Sequence, residues 1–212
     1  MIGCLVGSEM CIRDRDDIYE YIVYDNIEFF TFAQVAPDLK DRVLTVNGVS
    51  KSHCMTGWRI GYAVGPEILI KAMIKIQGQS TSNASSISQY AALAGISGSN
   101  DFLKPCLKAF DERRCFVVNK LNNIQGISCL LPKGAFYAYP NVSGLVGKKT
   151  NEGIILKNDT DIVEWLLETA EVAAVPGVAF GLEPFFRISY ATSLDLLKEA
   201  MNRIEKAVLS LS

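Results

Sequence analysis

Lys51 and Arg59 stand eight residues apart in the run Ser50-Lys51-Ser52-His53-Cys54-Met55-Thr56-Gly57-Trp58-Arg59-Ile60-Gly61-Tyr62. This small-residue turn follows the apolar run Val43 to Val46 and leads into a second one, Ile60 to Val64. An isolated lysine is an ordinary solvated cation. One shielded in a turn has a lowered pKa, and enough of its amine is neutral to attack an aldehyde and then to move protons. Arg59 supplies a permanently charged planar fork suited to phosphate. Gly57 and Gly61 let the backbone come close, and Trp58 is expected to pack in the core.

Asp16 and Tyr19, in Asp16-Asp17-Ile18-Tyr19, add a weaker signal. Alone they read as an acidic surface turn. Beside Lys51 and Arg59, the carboxylate can keep a pyridine nitrogen protonated, which makes the ring an electron sink, and the phenol can hydrogen-bond a ring oxygen. Aldehyde, phosphate, pyridine nitrogen and ring oxygen together describe pyridoxal phosphate. A third piece is Phe185-Phe186-Arg187-Ile188-Ser189-Tyr190-Ala191. An arginine inside an apolar strand is costly unless an anion pairs with it. Arg187 therefore predicts either an internal salt bridge or a bidentate clamp on a substrate α-carboxylate.

Composition narrows the alternatives. The 212 residues are 49% hydrophobic and 21% charged, enough for one sizeable core or a core plus a smaller domain. A net charge of −2 with scattered basic residues leaves no footprint for nucleic acid. No apolar run reaches the roughly 18 residues needed to cross a bilayer, and the start lacks signal-peptide character, so a cytoplasmic-type protein is expected. The six cysteines include no C-x-x-C pair and read as free, buried or half-buried thiols, with no metal site. His53 is the one histidine, and no nucleophile elbow accompanies it.

The elements that must position these residues alternate between strand and helix. Val43 to Val46 reads as a buried parallel strand and Ile60 to Val64 as the next. Pro66 falls in the first turn of a helix to about Gln77, Gly78 to Ser86 is a loop, and Ile87 to Ile96 a helix closed by Gly98. A long helix over about Asp101 to Asn122, with Leu103, Leu107, Phe110, Val117 and Leu121 on one face, can carry the chain into a second domain. Strands are expected near Ile127 to Leu130, Ala135 to Tyr139, Val172 to Val175 and Phe185 to Tyr190, and a helix over Asp159 to Ala170. Leu194, Leu197, Met201, Ile204, Val208 and Leu211 form a helical stripe that packs on a sheet. The class is α/β, with parallel-sheet pieces first and an α+β layer afterwards.

Asn47 to Tyr62 resembles the cofactor-lysine signature of class I/II aminotransferases, the pyridoxal phosphate (PLP) enzymes of fold type I that include aspartate aminotransferase. Further matches run in order through Asp16-x-x-Tyr19, Gln79 to Asn83, Pro132-x-Gly134-Ala135-Phe136-Tyr137, Pro176 to Gly181 and the Arg187 strand. The resemblance implies a Schiff-base role for Lys51, a phosphate ligand in Arg59, a pyridinium partner in Asp16, a ring-oxygen partner in Tyr19 and an α-carboxylate clamp in Arg187. It also implies a homodimer, with Gln79 to Asn83 approaching the neighbouring subunit's cofactor.

Family members are about twice this long, and the phosphate loop and ring-stacking aromatic that precede this region in them have no counterpart here. Cys4 to Arg15 reads as translated sequencing adapter or as a genuine short strand and loop. The expected organisation is residues 1–15 non-native, 16–100 the end of the PLP-binding large domain and 101–212 the small domain. The expected activity is amino transfer between an L-amino acid, aspartate-like by overall resemblance, and a 2-oxo acid. Alternatives are the PLP-binding domain of a transcription regulator, another fold type I enzyme such as a lyase or decarboxylase, or an inactive truncated product.

Overall fold

The computed structural model describes residues 13–212, so the start of the segment read as adapter lies outside the described residues. Two compact units are present, one reaching to Lys104 and the other beginning at Pro105.

The first unit is built on a three-stranded sheet of order β1-β2-β3. Strand β1 (Arg13–Asp16) runs parallel to β2 (Val43–Gly48), with Arg13 opposite Val43 and Asp16 opposite Val46. Strand β3 (Gly61–Val64) runs antiparallel to β2, with Gly48 opposite Gly61. The apolar β-branched residues of β2 suit a strand flanked on both sides, and Val43, Leu44 and Val49 are buried with Ile22 and Tyr24. Between β1 and β2 lie α1 (Phe32–Val35) and a 3-10 turn, Pro37–Arg42.

Helix α2 (Glu67–Ser80) starts one residue after Pro66 and outruns its expected end, and α3 (Ser86–Ser97) stops at Gly98. The loop between them shrinks to 81–85. No residue of α2 is buried, and in α3 only Ser88 and Ala92 are.

Helix α4 (Leu103–Asn122) starts in the last two residues of the first unit and lies otherwise in the second, and its Val117 and Leu121 are buried as the stripe predicts. The sheet of the second unit has the order β4-β6-β5, from β4 (Tyr137–Ala138), β5 (Val175–Pro176) and β6 (Phe186–Ser189), all antiparallel. The strand expected over Ile127 to Leu130 is reduced to one bridge, Ser128 to Asn141. A side chain takes the place of a neighbouring strand there: Asn122 accepts from the Cys129 N–H at 2.7 Å and donates to the Cys129 carbonyl at 2.9 Å. The strand expected from Ala135 starts two residues later because Ala135 has φ 59.

Helix α5 (Asp159–Ala170) has the predicted bounds, and Asn158 caps it by accepting from the Asp161 N–H at 2.9 Å. Its end at Glu171, φ 53, returns the Val172 N–H to the Leu166 carbonyl, and so β5 begins only at Val175. Helix α6 (Leu194–Leu209) is capped by Ser193 and packs against α5, burying Leu197, Met201, Ile204 and Val208. No helix among the described residues is long and apolar enough to cross a membrane. Cys106 and Cys129 are half-buried and buried, but Cys54 and Cys115 are exposed, unlike the expectation; all four are free. Cys4 and Cys11 lie outside the described residues.

Candidate active site

Asp16 ends β1, and Lys51 follows three residues after the end of β2, which runs parallel to it. Arg59 enters the antiparallel β3 two residues before Gly61, the partner of Gly48. Register therefore brings Asp16, Tyr19, Lys51 and Arg59 to one edge of one sheet, outside the carboxyl ends of its parallel strands. Open α/β sheets bind ligands at such an edge.

Two adjacent carboxylates part at this edge. Asp17 turns inward, is buried and pairs with Arg15 at 3.4 Å through Oδ1, while its Oδ2 has no partner among the described residues. Asp16 stays exposed, its Oδ1 accepting from the Ile18 N–H at 3.1 Å. Tyr19 sits half-buried in the turn that follows.

The Lys51 turn is set by the residues after the lysine. Ser52 is buried, and its Oγ shares a 2.8 Å hydrogen bond with Nδ1 of His53. The His53 ring lies edge-on to Tyr21, centroids 6.1 Å apart, and 5.4 Å from Phe102. A side chain at Gly95 would put a Cβ 3.2 Å from the His53 ring. Arg59 has φ 52 at the end of the 3-10 turn Thr56–Trp58, and its Nη1 donates to the Thr56 carbonyl at 3.2 Å. Trp58 is 45% exposed, which corrects the expectation that it packs in the core; a three-residue turn at a sheet edge has no layer above it among the described residues. Tyr62, opposite Asn47, has its phenol pushed above the usual value near 10, first by burial and then by the Glu20 carboxylate.

Arg187 lies in β6 of the second unit, half-buried, and makes no ion pair among the described residues. Aromatic rings take that place: its guanidinium carbon sits 4.5 Å from the centroid of Tyr137 and 4.4 Å from that of Phe180. Tyr137 is fixed by β4, opposite Ser189. Phe180 ends the 3-10 turn Gly177–Phe180, which closes at Gly181 with φ 72. Gly177 has no room for a side chain, since a Cβ would collide with the Leu182 carbonyl and lie 2.8 Å from that of Phe185. The Tyr139 hydroxyl donates towards the carbonyls of Gly177 and Leu182, at 3.3 and 3.4 Å. Burial, then the Asp159 carboxylate, raise the Tyr139 phenol above its usual value, and Arg187 opposes them.

Sequence reasoning missed Asp159, Phe180 and Tyr137 as neighbours of the Arg187 site. Both aromatics lie within motifs that the sequence singles out, but only the β4–β6 pairing, for Tyr137, and the 3-10 turn, for Phe180, bring them to the guanidinium.

A family model, aminotransferase class I and II, matches residues 15–204. The chain belongs to that family. It is 57% identical over 197 residues to an aspartate aminotransferase of Rhizobium meliloti strain 1021, covering 93% of this chain and 48% of that one. A probable aspartate/prephenate aminotransferase of Rickettsia felis is 53% identical, with the same coverage.

Among solved structures, an aspartate aminotransferase from Rhizobium meliloti superposes with a TM-score of 0.95 at 54% identity, over 100% of this chain and 53% of that one. An aromatic aminotransferase from Pyrococcus horikoshii gives 0.86 at 32% identity, over 98% and 54%. The chain thus spans about half the length of the relatives it matches, and its fold is part of the fold type I α/β architecture.

Proposed function

We propose that this chain is the C-terminal half of a PLP-dependent aminotransferase, with residues 16–100 ending the cofactor-binding domain and the small domain following from about 101. The observation that supports the reading is the strand register, in which β1 ends at Asp16 beside the end of β2 that leads to Lys51, and β3 starts there just after Arg59. The donor set fits the cofactor group for group, and Asp16 and Arg59 are both exposed there. When bound, PLP supplies an electron sink that stabilises negative charge at the substrate Cα.

With PLP bound, Lys51 would hold its aldehyde end and, with substrate present, would move the proton at Cα as base and then acid. Arg59 would hold the phosphate, Asp16 would keep the pyridine nitrogen protonated, and Tyr19 would donate to the ring oxygen. Arg187, with no internal counter-charge among the described residues, receives the α-carboxylate and orients the Cα–H. Aspartate-like substrates are favoured because the relatives named above are aspartate and aspartate/prephenate aminotransferases. The setting is a cytoplasmic homodimer, a reading supported by the unpaired thiols and by the likeness of Gln79 to Asn83 to a subunit-facing loop.

In a family-length polypeptide carrying these residues, Lys51→Ala is expected to abolish transfer from aspartate to 2-oxoglutarate. Normal turnover in that variant rejects the assignment. The 212-residue chain alone is expected to give no transfer, because it spans only half of the relatives' length.

A further inference from the structure

Tyr137 is held against Arg187 by strand pairing, but Phe180, whose ring also lies against the guanidinium, belongs to a four-residue turn with no strand of its own. Asp159, the first residue of α5, reaches that turn. It is 1% exposed, its Oδ2 accepts from the Val178 N–H at 3.1 Å, and its Oδ1 has no partner among the described residues. A buried carboxylate with one oxygen unsatisfied costs free energy, which makes its hydrogen bond to the turn the feature to explain. Tyr139 ties the same turn through the Gly177 carbonyl, and its ring stands edge-on to Phe180 at 6.1 Å.

We propose that Asp159 is a positioning residue: by holding the Val178 N–H it keeps the Phe180 ring against the Arg187 guanidinium, which Tyr137 also packs on. Rings packed on the guanidinium restrict its rotamers and so pre-organise its parallel N–H groups for a carboxylate. The carboxylate binding rests on Arg187 being the clamp, whereas the positioning does not.

The test is NMR of the Arg187 Nε–H in the 212-residue chain, assigned with Arg187→Lys. The flanking rings shift this resonance, so Phe180→Leu is expected to move it. Asp159→Ala is expected to move it in the same direction, and Asp159→Asn, which keeps an oxygen for the Val178 N–H, to restore it. At an acetate concentration that half-saturates the native chain, occupancy in Asp159→Ala is expected to fall to about a tenth, an affinity loss of about tenfold.

An unmoved resonance in Asp159→Ala, or in Phe180→Leu, overturns the proposal. If the variants behave as expected but acetate leaves the native resonance unmoved, the positioning stands and the clamp reading fails. Should Asp159→Ala not fold, Asp159→Ser replaces it, since a hydroxyl one bond shorter stops short of Val178 while partly filling the space.

Discussion

Arg187 and Tyr139 share one electrostatic neighbourhood, and its sign can be checked. Burial and Asp159 push the Tyr139 phenol up, and the Arg187 charge pulls it down. Followed at the Tyr139 ring carbon by NMR, Arg187→Ala is therefore expected to raise the ionisation further and Asp159→Asn to lower it. The opposite order would show that these charges do not act on the phenol. Because the folded chain holds this proton more tightly than the unfolded one, the associated stability is full below the ordinary tyrosine value near 10. It is lost as pH rises through the higher folded value. Type and spacing alone selected Lys51, Arg59, Asp16, Tyr19 and Arg187. Asp159 carried no such signal, since a carboxylate at a helix start is an ordinary feature.

Helix α4 shows what one buried side chain does for an element. Arg114 is almost fully buried; its Nε and Nη2 donate to Asp111 Oδ1 at 2.9 and 2.7 Å, and its Nη1 donates to the Pro132 carbonyl at 2.8 Å. It ties the helix to the loop that leads into β4. Arg114→Ala is expected to destabilise the fold by about 3 kcal/mol, through lost packing and charge-assisted hydrogen bonds. Urea unfolding measures this, and an unchanged midpoint would remove Arg114 from the account. Periodicity found α4, α5 and α6 because a helical apolar stripe is written along the sequence. It overstated the strands near residues 127 and 135, where the side chain of Asn122 and the left-handed backbone of Ala135 decide the outcome.

The two units differ in how much they bury. In the first, α2 buries nothing and α3 two small residues, leaving Ile68, Ile76, Ile87 and Tyr90 among the exposed apolar side chains. In the second, α5 and α6 bury Ile162, Leu166, Met201 and Ile204 completely. A helix of 14 residues without tertiary burial is marginal in water. Hydrogen exchange is therefore expected to be fast throughout α2 and slow in α5 and α6. Equal protection in all three would show that burial does not set local stability here. The chain's span of about half its relatives fits exposed apolar helices in the first unit.

The sequence by itself determined the chemistry on offer, the α/β class, the family and most helices, because residue type and apolar period are local properties. Tertiary structure decided which of these groups meet. Parallel pairing of β1 with β2 and antiparallel pairing of β3 bring Asp16, Lys51 and Arg59 to one edge from 43 residues of separation along the chain. The β4–β6 pairing and the Asp159-held turn put two rings on Arg187 where the sequence left open an internal salt bridge or a clamp. Both outcomes depend on hydrogen-bond register between distant segments, which no local pattern records.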